Sequence, residues 1–195
     1  MDKGRLEAFS DGVIAIIITI MVLEMRAPTE PELSALRPVL PAFLAYALSF
    51  AHVAIYWNNH HHLFHAVERI SGMTLWANLH LLFWLSLIPF VTRWMGETRF
   101  ATWPVAAYGV VLILCAFAWE ILRRELLAYH EPGSILAQAL RRNVKEWASL
   151  AIYATAIGMA FVHTWLACAL NAVVAVMWFV PDRRIEREME EREEQ

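Results

Sequence analysis

Histidines near the end of the second apolar region have the residue type and spacing of a metal site. His61 and His65 are four positions apart, so on a helix they share one face, and imidazole nitrogens at this spacing bind transition metals. A membrane metalloenzyme needs several such pairs with converging ligands, and four histidines are isolated along the chain: His52, His80, His130 and His163. We therefore expect no catalytic metal. His61 and His65 remain a candidate pair for an adventitious or inhibitory metal ion.

A second set of polar side chains precedes the first apolar run. Arg5, Ser10 and Asp11 lie within two helical turns before residues 13–23, which are apolar except for Thr19. Charged groups at membrane depth are costly and usually face a partner helix or a water-filled path. Because Arg5 and Asp11 are spaced neither i,i+3 nor i,i+4, they are poor partners within one helix. We expect both to interact with other helices.

Motifs of nucleophilic or phosphate chemistry do not occur in the sequence. There is no Gly-x-Ser-x-Gly elbow, P-loop or dinucleotide-binding pattern, and Ser10 has no histidine nearby in sequence. We expect a protein that is not an enzyme and that needs no cofactor.

The composition indicates an integral membrane protein. Hydrophobic residues make up 59% of the 195 positions and charged residues only 18%. Apolar stretches near the length of about 20 residues that a membrane helix needs recur along the chain. We predict an all-α integral membrane protein with six transmembrane helices, at residues 6–25, 39–59, 73–92, 103–122, 146–163 and 165–180. Residues 1–195 form a single domain, and residues 181–195 form a charged cytoplasmic tail.

The distribution of basic residues predicts the orientation. Cytoplasmic segments of membrane proteins carry an excess of lysine and arginine. With both termini in the cytoplasm, four of the 16 basic residues lie outside: Arg26, Arg37, Arg93 and Arg99. The other twelve lie inside, which favours six spans with an N-in and C-in topology.

The start of the first helix resembles a known signature. Its sequence reads Arg5-x-x-x-Phe9-Ser10-Asp11, followed by Gly12-Val13-x-Ala15-Ile16-x-Ile18-Thr19. This resembles the motif of the transmembrane protein 175 family of endolysosomal potassium channels, whose bacterial members are six-helix subunits. The resemblance extends more loosely beyond the third span. It implies a homotetrameric, potassium-permeable channel in the cell membrane, with lipids and its own copies as partners and no nucleic acid.

One face of the first helix carries a stripe of similar residues. Taken at about 100° per residue, five positions fall within a stripe about 100° wide: Gly12, Ile16, Thr19, Ile20 and Leu23. Asp11 falls on the opposite side. The pattern alone is also what a helix-packing face shows. In the family, the first helices surround the tetramer axis and isoleucine or leucine side chains form the constriction. The resemblance thus assigns the constriction to Ile16, Ile20 and Leu23, with Thr19 as the matching hydroxyl.

Ion selectivity in such a pore cannot come from a filter of backbone carbonyls. The sequence has no Thr-Val-Gly-Tyr-Gly loop whose carbonyls would replace ion hydration, so we expect modest selectivity at an apolar constriction that gates by dewetting. Glu24 lies near the outer end of the first helix. Its four copies could form a ring of carboxylates at the pore mouth, or it could be a lone carboxylate at the membrane interface.

The polar entrance predicts a hydrogen-bond network that supports the first helix. The end of the second span and the start of the third lie at the same depth as residues 5–11, and the resemblance includes a Trp-x-x-His pattern and an Asn there, matched by Trp57, His60 and Asn78. The predicted motif and network residues are Arg5, Phe9, Ser10, Asp11, Trp57, His60, His61 and Asn78.

Other functional classes remain open at this point. A secondary transporter would place a substrate site at mid-membrane beside broken helices and inverted repeats, and Pro89 is the one break we identify. A proton leak through the same constriction is a second alternative. A membrane protein that binds metal through its histidines is the least favoured.

Overall fold

The computed structural model describes residues 3–67, 69–128 and 144–179. These residues form α-helices joined by short connections, with a single 3₁₀ turn at Leu33–Leu36. The helices are α1 (Lys3–Leu23), α2 (Leu40–His65), α3 (Gly72–Leu85), α4 (Ile88–Glu97), α5 (Thr102–Ala128), α6 (Val144–Ala160) and α7 (Thr164–Phe179).

Helices α3 and α4 together correspond to the third predicted span, so the all-helical prediction with six units is confirmed for this part of the chain. Four of them are long and apolar enough to cross a membrane: Lys3–Leu23, Leu40–His65, Gly72–Glu97 and Thr102–Ala128. Helix α7 is apolar but shorter. The predicted tail at residues 181–195 lies outside the described residues.

Two helices extend beyond their predicted membrane spans. Helix α2 continues to His65 and α5 to Ala128, where the predicted spans stop at 59 and 122. Hydropathy falls at these ends because histidines and arginines appear. The helices nevertheless continue, because Phe64 and Leu126 are still completely buried.

The third span is interrupted between Leu85 and Ile88. Pro89 occupies the first turn of α4, where a missing backbone N–H leaves no helical hydrogen bond unmade. The start of α3 is fixed by a capping box, in which Ser71 Oγ accepts from the Thr74 N–H at 3.0 Å and Thr74 Oγ1 accepts from the Ser71 N–H at 3.1 Å.

Successive spans run antiparallel, so the bundle has two ends. At the Lys3 end, α1, α3 and α6 begin and α2, α5 and α7 end. Here Lys3 Nζ donates to the His65 carbonyl at 3.3 Å and Ser71 Oγ to Glu125 Oε1 at 3.1 Å. At the opposite Leu23 end, Arg93 Nη1 lies 3.7 Å from Glu24 Oε1.

Helix α5 lies at the centre of the bundle and α1 lies at its edge. Helix α5 packs against α3, α4, α6 and α7, whereas α1 packs against α2, α3 and α4. One face of α1 is therefore covered by the subunit itself and the other is left open.

Close packing at the Leu23 end predicts that alanine at two glycine positions changes the stability of the fold differently. A Cβ on Gly96 of α4 would lie 2.8 Å from Ala42 Cα of α2, whereas a Cβ on Gly158 of α6 would meet no atom within 4 Å. We expect Gly96→Ala to destabilise the fold by about 1–3 kcal/mol, because backbone on both helices must shift. Gly158→Ala should match or exceed the wild type, since alanine favours helix. Thermal unfolding in detergent measures both, and equal melting temperatures would contradict the packing.

Candidate functional site

The covered face of α1 is defined by a regular spacing of buried side chains. Residues three or four apart on a helix lie above one another on one side, and five such positions face α2, α3 and α4. They are Leu6, Ser10, Ile14, Ile17 and Met21, each at most 3% exposed. This packing fixes the rotation of α1 about its own axis.

The other face of α1 is uncovered within the subunit. We call it the α1 stripe, and it comprises Phe9, Gly12, Ile16, Thr19, Ile20 and Leu23. Ile16 is 59% exposed and Leu23 75% exposed, and a Cβ on Gly12 would meet nothing within 4 Å. The stripe runs for about 21 Å along the helix, at about 1.5 Å per residue. Arg5 falls on the same side and is exposed.

Thr19 gives the α1 stripe a polar atom at mid-length. Its hydroxyl donates to the Ala15 carbonyl one turn earlier at 2.8 Å, so the oxygen lone pairs remain available on an exposed surface. Small residues and hydroxyls are typical of faces that meet other helices or water in membranes, and less so of faces that meet lipid alone. The stripe thus has the chemistry of an assembly or pore face.

A buried hydrogen-bond chain joins α1, α3 and α2 near the Lys3 end. Asn78 Nδ2 donates to Ser10 Oγ at 2.9 Å, and Asn78 Oδ1 lies 2.8 Å from His60 Nε2. Ser10 Oγ in turn donates to the Leu6 carbonyl at 2.9 Å. With its amide donating to Ser10, Asn78 accepts from a His60 protonated at Nε2. All three side chains are at most 1% exposed, so the chain is sheltered from water and lipid.

The other predicted network residues do not take part in this buried chain. Asp11 Oδ1 accepts from the Trp57 indole N–H at 3.0 Å, which ties α1 to α2 by a second contact. The His61 ring stacks on Trp57 at 6.1 Å and has no hydrogen bond to another described residue. Arg5 likewise forms no ion pair or hydrogen bond within the described ranges, so the structure does not bring it to Asp11 or to another helix.

Glu24 lies beside α4 and not on the α1 stripe. Its Oε1 is 3.7 Å from Arg93 Nη1, and Arg93 Nε donates to Glu97 Oε1 at 2.9 Å. The Glu24 side chain is about a quarter exposed. Its place at a pore mouth stays a prediction, since the carboxylate is engaged within its own subunit.

The histidine pair does not belong to a larger metal-binding group among the described residues. The His61 and His65 rings are stacked with centroids 6.4 Å apart. Across residues 3–67, 69–128 and 144–179, no group of three or more His, Cys, Asp or Glu side chains could hold a metal ion.

Sequence reasoning missed two internal polar clusters. The first joins α2, α4 and α5 through Ser49, His52, Thr92 and Tyr108, all of them buried. The second is an ion-pair group at the Lys3 end, in which the buried Arg123 Nε lies 2.8 Å from Glu120 Oε2 and 3.4 Å from Glu146 Oε1. The available signal was the presence of hydroxyls and charges within predicted spans, which marks buried partners.

Comparisons with known proteins agree on one family. A family described as "Endosomal/lysosomal potassium channel TMEM175" matches residues 5–89. The chain is 50% identical over 191 residues to a protein named as a potassium channel from Chryseobacterium sp. (strain P1-3), covering 98% of this chain and 100% of that protein. It is 29% identical over 187 residues to the human endosomal/lysosomal proton channel TMEM175, covering 85% of this chain but 36% of the human protein.

A solved structure has the same fold. The chain matches the crystal structure of a lysosomal potassium-selective channel TMEM175 homolog from Chamaesiphon minutus with a TM-score of 0.78 and 28% sequence identity, covering 91% of this chain and 96% of that one. The matched family and these relatives are channels and not enzymes.

Proposed function

This chain is a membrane protein that belongs to the family of the endosomal/lysosomal potassium channel TMEM175, and we propose that it is a potassium-permeable channel whose pore is lined by α1 in a homotetramer. Bacterial relatives named as potassium channels support potassium as the permeant ion. The long apolar helices support a protein that spans a membrane, which we take to be the cell membrane.

The observation that carries the proposal is the uncovered α1 stripe. If four copies surround an axis with their stripes inward, Ile16, Ile20 and Leu23 form successive apolar rings, and Thr19 adds a ring of hydroxyls between them. Apolar rings of this kind exclude water when narrow and admit hydrated ions when slightly wider, which is gating by dewetting. No ligand, cofactor or enzymatic step is needed.

The buried chain from Ser10 through Asn78 to His60 supports the same arrangement. It crosses from α1 to two other helices at one depth, so it resists rotation of α1 about its axis. A rotation would exchange the open face for the covered face and remove the stripe from the axis. The role of this chain in our account is to position the pore helix, without contact to the ion.

Charge supports the orientation N-in and C-in. Described basic residues at the Lys3 end include Lys3, Arg5, Arg69, Arg123, Arg124 and Lys145. The Leu23 end has Arg26, Arg37, Arg93 and Arg99. By the positive-inside rule, the Lys3 end faces the cytoplasm.

Flux from proteoliposomes tests the proposal. Purified protein in liposomes loaded with potassium should release it down its gradient, with no coupled ion required on the other side, and protein-free liposomes should not. Replacement of external sodium by N-methyl-D-glucamine should leave the efflux in place. Efflux that needs a particular counter-ion, or saturates as a carrier does, would indicate a transporter and contradict the channel.

A further inference from the structure

A large cavity lies between α2, α5, α6 and α7, away from the α1 stripe. Its volume is about 350 Å³, within the range of about 300–1,000 Å³ that is usual for ligand pockets. The lining is mostly apolar and comes from all four helices, through side chains that include Ile55, Phe117, Ile121, Leu150 and Val174. Apolar cavities are poor sites for water. The occupant that suits this one is therefore itself apolar.

The polar groups around the cavity are engaged with one another. The Trp178 indole N–H donates to Ser149 Oγ at 2.8 Å, and the Glu120 carboxylate accepts hydrogen bonds from two arginines of the next turn. Two atoms, His52 Nε2 and Glu146 Oε2, have no hydrogen bond among the described residues, but both are buried beneath the cavity surface. An apolar chain in the cavity would therefore leave the polar groups of its lining as they are.

The cavity reaches the outer surface of the bundle beside α5 and α6. Three of its apolar lining residues are strongly exposed: Phe117 at 51%, Ile121 at 49% and Trp147 at 63%. Buried and exposed side chains thus line one continuous space. Because the surface around the opening is apolar, the chains of surrounding lipids can enter the cavity without crossing water.

The extent of the cavity matches one leaflet of a membrane. On α5 its lining runs from Ala116 to Arg124, which is about 12 Å at about 1.5 Å per residue. The hydrocarbon core of a bilayer is about 30 Å thick, so each leaflet contributes about 15 Å. The cavity therefore spans most of the apolar depth of the leaflet at the Lys3 end, and Arg124 lies toward the lipid head groups.

Arg124 supplies a site for a phosphate at the end of the cavity. Its Nε donates to Glu120 Oε1 at 2.6 Å, whereas its two terminal amino groups make no hydrogen bond to another described residue. The side chain is 66% exposed. A guanidinium binds phosphate oxygens through two parallel hydrogen bonds. Basic pockets between membrane helices on the cytoplasmic side bind anionic head groups, and the Lys3 end is the more basic end of this bundle.

We propose that this cavity is a binding site for one anionic phospholipid of the leaflet at the Lys3 end. One acyl chain lies in the cavity against Ile55, Phe117 and Leu150. The phosphate oxygens accept hydrogen bonds from the terminal amino groups of Arg124. The site is separate from the α1 stripe and does not depend on potassium conduction.

Titration of the detergent-purified tetramer with dioleoyl phosphatidylglycerol, followed by native mass spectrometry, tests the site. Ala116→Phe fills the cavity from α5, and Arg124→Gln removes the group that binds the phosphate. We expect the wild type to bind one tightly held lipid per subunit. Each substitution should weaken that binding at least about tenfold, since each removes one of the two parts of the interaction.

Matched controls place the same changes outside the cavity. Ala169→Phe adds the same ring at an exposed position of α7 that does not line the cavity. Arg69→Gln removes one positive charge from an exposed position at the same end of the bundle. Both controls should bind the lipid as the wild type does. Weakening as large as that of Ala116→Phe and Arg124→Gln would mean that the lipid binds the apolar or basic surface in general, and would overturn the site.

Two further probes separate the parts of the lipid. Dioleoylglycerol has the same chains without the phosphate, and inorganic phosphate has no chains. We expect each to bind at least about tenfold more weakly than dioleoyl phosphatidylglycerol. Dioleoylglycerol that binds equally well would overturn recognition of the phosphate by Arg124.

Unchanged lipid binding in both Ala116→Phe and Arg124→Gln overturns the proposal. A wild-type tetramer that binds no lipid in a saturable way does so too, and would indicate that a neighbouring copy fills the cavity. If Ala116→Phe does not fold, Arg124→Gln decides against Arg69→Gln, because both positions are exposed.

Discussion

Ile16→Asn is expected to raise potassium flux through reconstituted protein at least about tenfold, equivalent to about 1.4 kcal/mol off the barrier to permeation. In a tetramer the change places four amides where four apolar side chains stood. Water then wets the constriction, and the permeating ion keeps partners as it passes. Because an amide ring does not discriminate by apolar exclusion, the preference for potassium over sodium should also fall.

The matched control for this substitution is Val173→Asn on α7. Val173 is 52% exposed, close to the 59% of Ile16, but α7 packs on α2, α5 and α6 and has no place on the axis in our account. Its flux and ion preference should equal those of the wild type. Equal effects of the two substitutions would mean that added polarity alone, and not a position in the pore, changes the flux.

Asn78→Leu is expected to destabilise the protein and abolish most of its flux. Leucine has a similar volume but no amide, so the buried His60 N–H loses its acceptor and Ser10 loses a donor. An unsatisfied buried polar group costs about 1–3 kcal/mol. Without the link between α1, α3 and α2, we expect α1 to lose its fixed rotation, so that potassium flux falls more than the melting temperature alone would suggest.

Asn59→Leu is the control for Asn78→Leu. Asn59 precedes His60 on α2, is half-buried and has no hydrogen bond to another described residue. Its removal should change the melting temperature by little. A drop in melting temperature as large as that of Asn78→Leu, or full flux from Asn78→Leu, would show that the buried chain does not position the pore helix.

Much of the fold could be predicted because membrane helices occur in the sequence as long apolar segments. What these segments do not show is which contacts stabilise a helix where it continues through polar residues. Helix α5 extends past Arg123 because that guanidinium is paired with Glu120 one turn earlier and with Glu146 of α6. The second of these partners is distant in sequence, so the sequence does not show which contacts stabilise this continuation.

The α1 stripe was predictable because it depends on helix geometry within one segment. The partners of its polar neighbours were not. On a helical wheel Glu24 lies near the edge of the stripe, yet in the structure it turns to Arg93 of α4. Arg5 was expected to bind another helix and is instead exposed. Likewise, the buried polar cluster that includes Thr92 and His52 is built from side chains of three helices. No residue spacing within any one of these helices reveals it.

The most direct test of the account is the reaction of Ile20→Cys with a positively charged, membrane-impermeant thiol reagent during a potassium flux measurement. The native thiols Cys115 and Cys168 are buried, so the introduced cysteine is the reactive one. If α1 lines the pore, modification should block the flux, and the same treatment of Val173→Cys should leave it unchanged. Full flux after complete modification of Ile20→Cys would place the ion path elsewhere and contradict the account.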